Sequence, residues 1–139
     1  MACEADLAVG YWFDENNRTW VAKPFRANSE YVVRELTEEE RQSARRSAQR
    51  PVSSKDADWG VFKKTSPDKI PAYTCVWPIP DNRWGIQNDV VDCGLTWNKF
   101  SLNTSVLRYQ PYYQGGYIDG RDNNADTPYI EIGRCNERD

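Results

Sequence analysis

Four cysteines, Cys3, Cys75, Cys93 and Cys135, in a chain with no histidine, narrow the possible folds more than any other feature. None stands in a Cys-x-x-Cys spacing and no imidazole is present to complete a ligand set, which argues against structural zinc. Two disulfides fit the even count. Three pairings are possible. The flanking residues favour Cys75–Cys93, joining the strand-like segments Tyr73-Thr-Cys-Val-Trp77 and Val90-Val-Asp-Cys93, together with Cys3–Cys135, tying the two chain ends. In the chain-entropy model these closures contribute about 3 and about 5 kcal/mol before any native strain is subtracted. Four reduced thiols in a reducing compartment are the alternative.

Cross-links matter here because aliphatic side chains are scarce. Val, Ile, Leu and Phe together number 25 of 139 residues, or 18%, below the ~20% under which strongly charged chains stay disordered. The net charge is only −3, and six Trp and eight Tyr add large amphipathic rings, so the expectation is one compact domain with an aromatic core. Lys and Arg number 18 against 21 Asp and Glu, which gives no general electrostatic hold on nucleic acid. No apolar run approaches the ~20 residues of a membrane span. The start, Met1-Ala-Cys-Glu-Ala-Asp, lacks the basic and apolar regions of a signal peptide and reads as a mature chain whose methionine replaces a removed leader. A lipoprotein leader ahead of Cys3 would instead acylate that thiol and leave Cys135 without its partner.

The pattern along the chain is β-rich. Tyr11-Trp12-Phe13 and Arg18-Thr19-Trp20-Val21 flank Asp14-Glu15-Asn16-Asn17, a hairpin whose asparagines suit left-handed turn positions. Pro24 ends its second strand, and a third begins at Tyr31-Val32-Val33. Thr37-Glu38-Glu39-Glu40 forms a capping box, with Arg41, Arg45, Arg46 and Arg50 behind it and Pro51 following, which predicts a solvated surface helix over about 38–49. Beyond it the strand candidates are 59–63, 72–77, 84–86, 90–93, 99–102, 106–109, 116–118 and 129–133, broken at Pro67, Pro71, Pro78, Pro80, Gly94, Pro111 and Gly120. The fold class is therefore mainly β: a single antiparallel β-barrel or sandwich over 1–139, disulfide-stapled, with a helical excursion at about 37–58.

For chemistry, the missing histidine removes the common nucleophile–base pairs, and no glycine-rich phosphate loop is present. Glu131 could be one carboxylate of a saccharide hydrolase, which needs two acids about 5 to 9 Å apart. Its setting between Ile130 and Ile132 predicts a residue on the wet face of a strand. Asp122, Asn124 and Asp126 match the first, third and fifth positions of a calcium loop, and Asp119 could add a fourth oxygen. Thr127 stands where that loop needs glycine, and Gly133 where it needs the bidentate glutamate, so no cofactor is expected beyond this one calcium candidate. Tyr112, Tyr113 and Tyr117 crowd around Gly115-Gly116. With Trp84 they form the candidate partner-binding set, because rings apolar on the face and polar at the tip suit sugar and protein surfaces.

The run Val106-Leu107-Arg108-Tyr109, Gly116-Tyr117, Asp122-Asn-Asn-Ala-Asp-Thr-Pro128 and Ile130-Glu-Ile-Gly-Arg-Cys135, preceded by Cys75 and Cys93, resembles a group of small secreted or periplasmic bacterial proteins of uncharacterised function. The resemblance spans about 59–135 and implies export and paired cysteines. The expectation is an exported, non-enzymatic binding module for a protein or glycan partner, an inhibitor or immunity-type protein being concrete forms. A carboxylate-based saccharide hydrolase and a calcium-stabilised extracellular structural domain are the alternatives.

Overall fold

The computed structural model describes residues 1–47, 58–65, 70–76, 89–94 and 97–137. Among the described residues nine strands and one helix follow in chain order: β1 (Ala2–Asp14), β2 (Thr19–Phe25), β3 (Glu30–Glu35), α1 (Glu38–Ser47), β4 (Trp59–Lys63), β5 (Tyr73–Val76), β6 (Val90–Gly94), β7 (Asn98–Asn103), β8 (Arg108–Tyr113) and β9 (Tyr129–Asn136). Each strand from β3 to β9 pairs antiparallel with the next, and β9 pairs with β1 along Ala2–Gly10. The other edge of β1 is divided between two strands. Residues 2–4 pair with β3, which closes an eight-stranded barrel, and residues 8–14 pair with β2, which stands outside the ring as a ninth strand.

Both expected disulfides form, and each joins directly opposed residues of neighbouring strands. Cys3 faces Cys135 across the β1–β9 seam with Cα atoms 3.9 Å apart, and Cys75 faces Cys93 across β5–β6 at 4.0 Å. All four sulfurs lie in the core, and no free cysteine remains.

That core is aromatic, as a chain short of aliphatics requires. The Phe100 ring stacks on Tyr109 at 5.1 Å, while Tyr31 meets both edge-on at 5.4 and 5.7 Å. Such geometries suit the ring quadrupoles. Val33, Val61, Val91 and Leu102 fill the spaces between them. Tyr109 lies over Gly133, directly across the β8–β9 ladder, in the space a side chain at that glycine would occupy.

Glu131 corrects the sequence expectation. It is 3% exposed, while its neighbours Ile130 and Ile132 are 45% and 44% exposed on the outer wall. Strand side chains alternate, so Cys135 pointing inward carries Gly133 and Glu131 inward with it. The buried carboxylate accepts hydrogen bonds from the Ser29 hydroxyl at 2.7 Å and the Tyr109 hydroxyl at 3.3 Å. Burial, with Glu131 adding to it, pushes the Tyr31 phenol up to about 12 and raises Tyr73 and Tyr109 further.

Other boundaries shift for physical reasons. β1 begins nine residues before the expected Tyr11, and β2 continues through Pro24 to Phe25, because an edge strand tolerates a residue without an N–H. Residues 104–107 form a turn, and β8 starts at Arg108 and runs through Pro111. The β8–β9 ladder lapses at Gln110 and Pro111 and resumes at Tyr112. Residues 116–118 are a turn and not a strand. The expected 84–86 strand lies outside the described residues, as does the end of the predicted helix.

Candidate functional site

At the barrel end where β1 leaves β9, the β1–β2 hairpin projects beyond the wall and the 114–128 loop folds against it. Pairing between β1 and β9 ends at Gly10 and Tyr129, with one further bond from the Tyr11 N–H to the Pro128 carbonyl at 3.0 Å. Beyond this point a side chain replaces the strand. The Asn124 amide oxygen accepts the Phe13 N–H at 2.7 Å, and its nitrogen donates to the Phe13 carbonyl at 2.8 Å. This satisfies an otherwise open backbone edge. Gly116 makes the neck of the loop possible, since its φ of 96° is costly for other residues and any side chain there would strike the Asp126 carbonyl.

Two rings anchor the loop through their polar tips. The Trp20 indole N–H donates to Asp122 Oδ1 at 3.0 Å, and the Trp20 ring contacts Phe13 and Tyr117, each at 5.6 Å. The Tyr113 hydroxyl donates to the Asp126 carboxylate, and this bond pushes the phenol up to about 12. Asp119 accepts the Arg121 backbone N–H at 2.8 Å.

Between loop and hairpin lies a cleft of about 840 Å³. Val9 and Ile130 belong to its outer-wall floor, Tyr11 and Trp20 come from the hairpin, and Tyr117 and Ile118 from the loop. Tyr11, Tyr117 and Ile118 are each more than half exposed. Trp97, also exposed, stands beside it, its carbonyl accepting the Gln114 N–H at 2.8 Å.

The structure therefore brings together three of the four rings proposed from sequence, Tyr112, Tyr113 and Tyr117, all of which line this cleft. Trp84 lies outside the described residues. Tyr11 and Trp20, from the far end of the sequence, complete the set. Their signal was present in the Tyr11-Trp12-Phe13 and Trp20-Val21 strands, but only the fold shows which face they share. The calcium candidates are all engaged in hydrogen bonds within the protein. Asp119, Asp122, Asn124 and Asp126 each bond a different partner, and among the described residues no three acidic, cysteine or histidine side chains converge.

A second depression, of about 550 Å³, lies lower on the wall between β6 and β9. Arg108 and Arg134 face each other there across the ladder, and Asp6 binds Arg134 through two hydrogen bonds at 2.9 and 2.7 Å. Those bonds hold the Asp6 carboxyl below its usual range.

No described helix is long and apolar enough to cross a membrane, and the two disulfides are compatible with an oxidising compartment. No family model, curated protein or solved structure matches the chain, so its function must be read from this geometry alone.

Proposed function

We propose that this protein is an exported, non-enzymatic recognition module whose binding surface is the aromatic cleft between the β1–β2 hairpin and the 114–128 loop. The observation that carries the reading is the convergence of Tyr11, Tyr112, Tyr117 and Trp20 around one groove, with large rings left in solvent although the chain has few apolar residues to spare. Rings of this kind, fixed by two χ angles each, lose little entropy on binding and dominate recognition energetics. Trp20 and Tyr113 are also held by hydrogen bonds to the loop carboxylates, so the groove is largely organised before a partner arrives. Both disulfides support a secreted or periplasmic location, where the partner is a protein or glycan.

The test immobilises the protein and a Tyr11→Ser/Tyr117→Ser variant, and passes the extracellular or periplasmic fraction of the native organism over both. A partner retained by the wild type and lost from the variant, with both proteins melting alike, is the expected result. Equal retention would remove the cleft from the account. Saturable turnover of a substrate by the isolated protein, abolished by a single carboxylate substitution that leaves the melting temperature unchanged, would replace recognition with catalysis.

A further inference from the structure

Negative charge marks the loop that borders the aromatic cleft. Its loop carries Asp119, Asp122 and Asp126 against the single cation Arg121. Lys23, the nearest cation on β2, pairs with Gly10, one residue out of phase with Tyr11 and Ala22, and its ammonium lies 5.0 Å over the Trp12 ring. Alternation places it on the opposite face of the hairpin. Two of the carboxylates touch the rings directly. Asp122 accepts from the Trp20 indole and Asp126 from the Tyr113 phenol. A carboxylate accepting a ring's N–H or O–H raises the electron density of that ring, which strengthens its attraction for a cation placed on its face. At the other end of the outer wall the charges are mixed, with Arg108 and Arg134 opposite each other, Asp6 bonded to Arg134 and Glu4 across the β1–β9 ladder from it.

From this juxtaposition we propose that the cleft takes an extended basic segment of a protein partner, with a lysine or arginine side chain seated among Tyr11, Trp20 and Tyr117 and its charge facing Asp119 and Asp122. The proposal rests on the cleft being the recognition surface and adds the chemistry of its occupant. The apolar floor of Val9 and Ile130 suits the methylene stem of such a side chain or a neighbouring proline. A neutral glycan would find fewer hydrogen-bonding groups, because the Trp20 and Tyr113 tips are already bonded to carboxylates. Self-association through the open edge of β2 is opposed by Lys23 and Pro24 on that strand, both features that discourage edge pairing.

The experiment titrates isotope-labelled protein with three probes: an end-blocked octapeptide alternating arginine and proline, the same peptide with citrulline for every arginine, and a neutral β-linked glucose hexamer. The Trp20 indole N–H resonance reports directly on the cleft. The arginine peptide is expected to shift it and the amides of Tyr117 and Ile118. Citrulline, which keeps the shape and loses the charge, should weaken binding about tenfold, the size of one desolvated cation–ring contact. Asp119→Asn/Asp122→Asn preserves both hydrogen-bond acceptors, so it should weaken the arginine peptide about as much without lowering the melting temperature. Equal binding of the arginine and citrulline peptides, or no shift with arginine, would overturn the proposal. If the hexamer alone moves the Trp20 resonance, the occupant is wrong while the cleft remains the recognition surface. If a native partner is captured equally by the Tyr11→Ser/Tyr117→Ser variant, the surface itself is wrong.

Discussion

Arg18 and Leu107 hold the same position in two similar hairpins, and both adopt left-handed backbone with φ of 51° and 53°. In each turn the residue opening the loop is the organiser. Asp14 accepts the Asn16 and Asn17 N–H groups at 2.9 and 3.2 Å, and Asn103 accepts those of Ser105 and Val106 at 3.0 and 3.3 Å. The left-handed turn is therefore delayed to the last loop position and does not fall on Asn16 or Asn17, where the sequence alone would place it. Arg18 is exposed, so Arg18→Gly should relieve more backbone strain than it costs in unfolded-state entropy, a gain of about 0.5 kcal/mol in urea denaturation. A loss of stability would contradict the turn geometry. Inside the barrel, Glu131→Gln leaves one hydroxyl facing an amide donor where it had an acceptor, and should cost about 1–3 kcal/mol in the same measurement; a neutral outcome would place residue 131 outside. This burial was legible in principle. Residues 131, 133 and 135 share a strand face, and a disulfide cysteine belongs in the core, but the two flanking isoleucines favoured the opposite assignment.

Along β1 the alternation breaks once. The register against β9 slips between Ala5 and Leu7, leaving Asp6 as the extra residue. This bulge turns the Asp6 carboxylate towards Arg134, and it sends Leu7, Val9 and Tyr11 outward while Ala8 and Gly10 face in. No sequence pattern announces a bulge, which is why the outer apolar wall was not foreseen. The helix was legible because its start is encoded locally. Thr37 donates its N–H to Glu40 at 2.9 Å and accepts the Glu40 N–H at 3.3 Å. What the local signal could not reveal is that Arg34 of β3 also grips Glu40 through two hydrogen bonds at 2.8 and 2.7 Å. That guanidinium, chiefly, brings the Glu40 carboxyl down from 4.5 to about 2. A depressed carboxyl stabilises the fold above its unfolded pKa and loses that contribution as pH falls through the folded one. Stability should therefore decline between about pH 4.5 and 2, and Glu40→Gln should be less stable at pH 6 and flatten that limb. Parallel curves for the two proteins would contradict the Arg34–Glu40 contact.

At the scale of the whole molecule, the β1–β9 seam joins strands 132 residues apart at their cysteines. Every other neighbouring pair in the ring is formed by strands consecutive in the chain, except β1 with β3, where the hairpin strand β2 intervenes. The seam is thus the most entropically expensive junction, and the buried Cys3–Cys135 bridge stands on it. Replacing Cys3 and Cys135 together by alanine should lower the melting temperature by about 15 °C, against about 10 °C for the Cys75/Cys93 pair, whose loop spans only 18 residues. The reverse order would show that closure does not depend on the seam bridge. The antiparallel β class and the cysteine pairing were readable because cysteine count and turn spacing are one-dimensional signals, whereas barrel and sandwich share those signals and only the β1–β9 closure separates them. The cleft was half readable. Its tyrosines cluster in sequence, but Tyr11 and Trp20 reach it only through a ninth strand set outside the ring. The most direct test of this architecture is mass-spectrometric mapping of peptides from the unreduced protein. The predicted result is a Cys3 peptide linked to the Cys135 peptide, a Cys75 peptide linked to the Cys93 peptide, and no free thiol. Free thiols, or a Cys3 peptide linked to any other cysteine, would contradict the closed barrel and the cleft that its end supports.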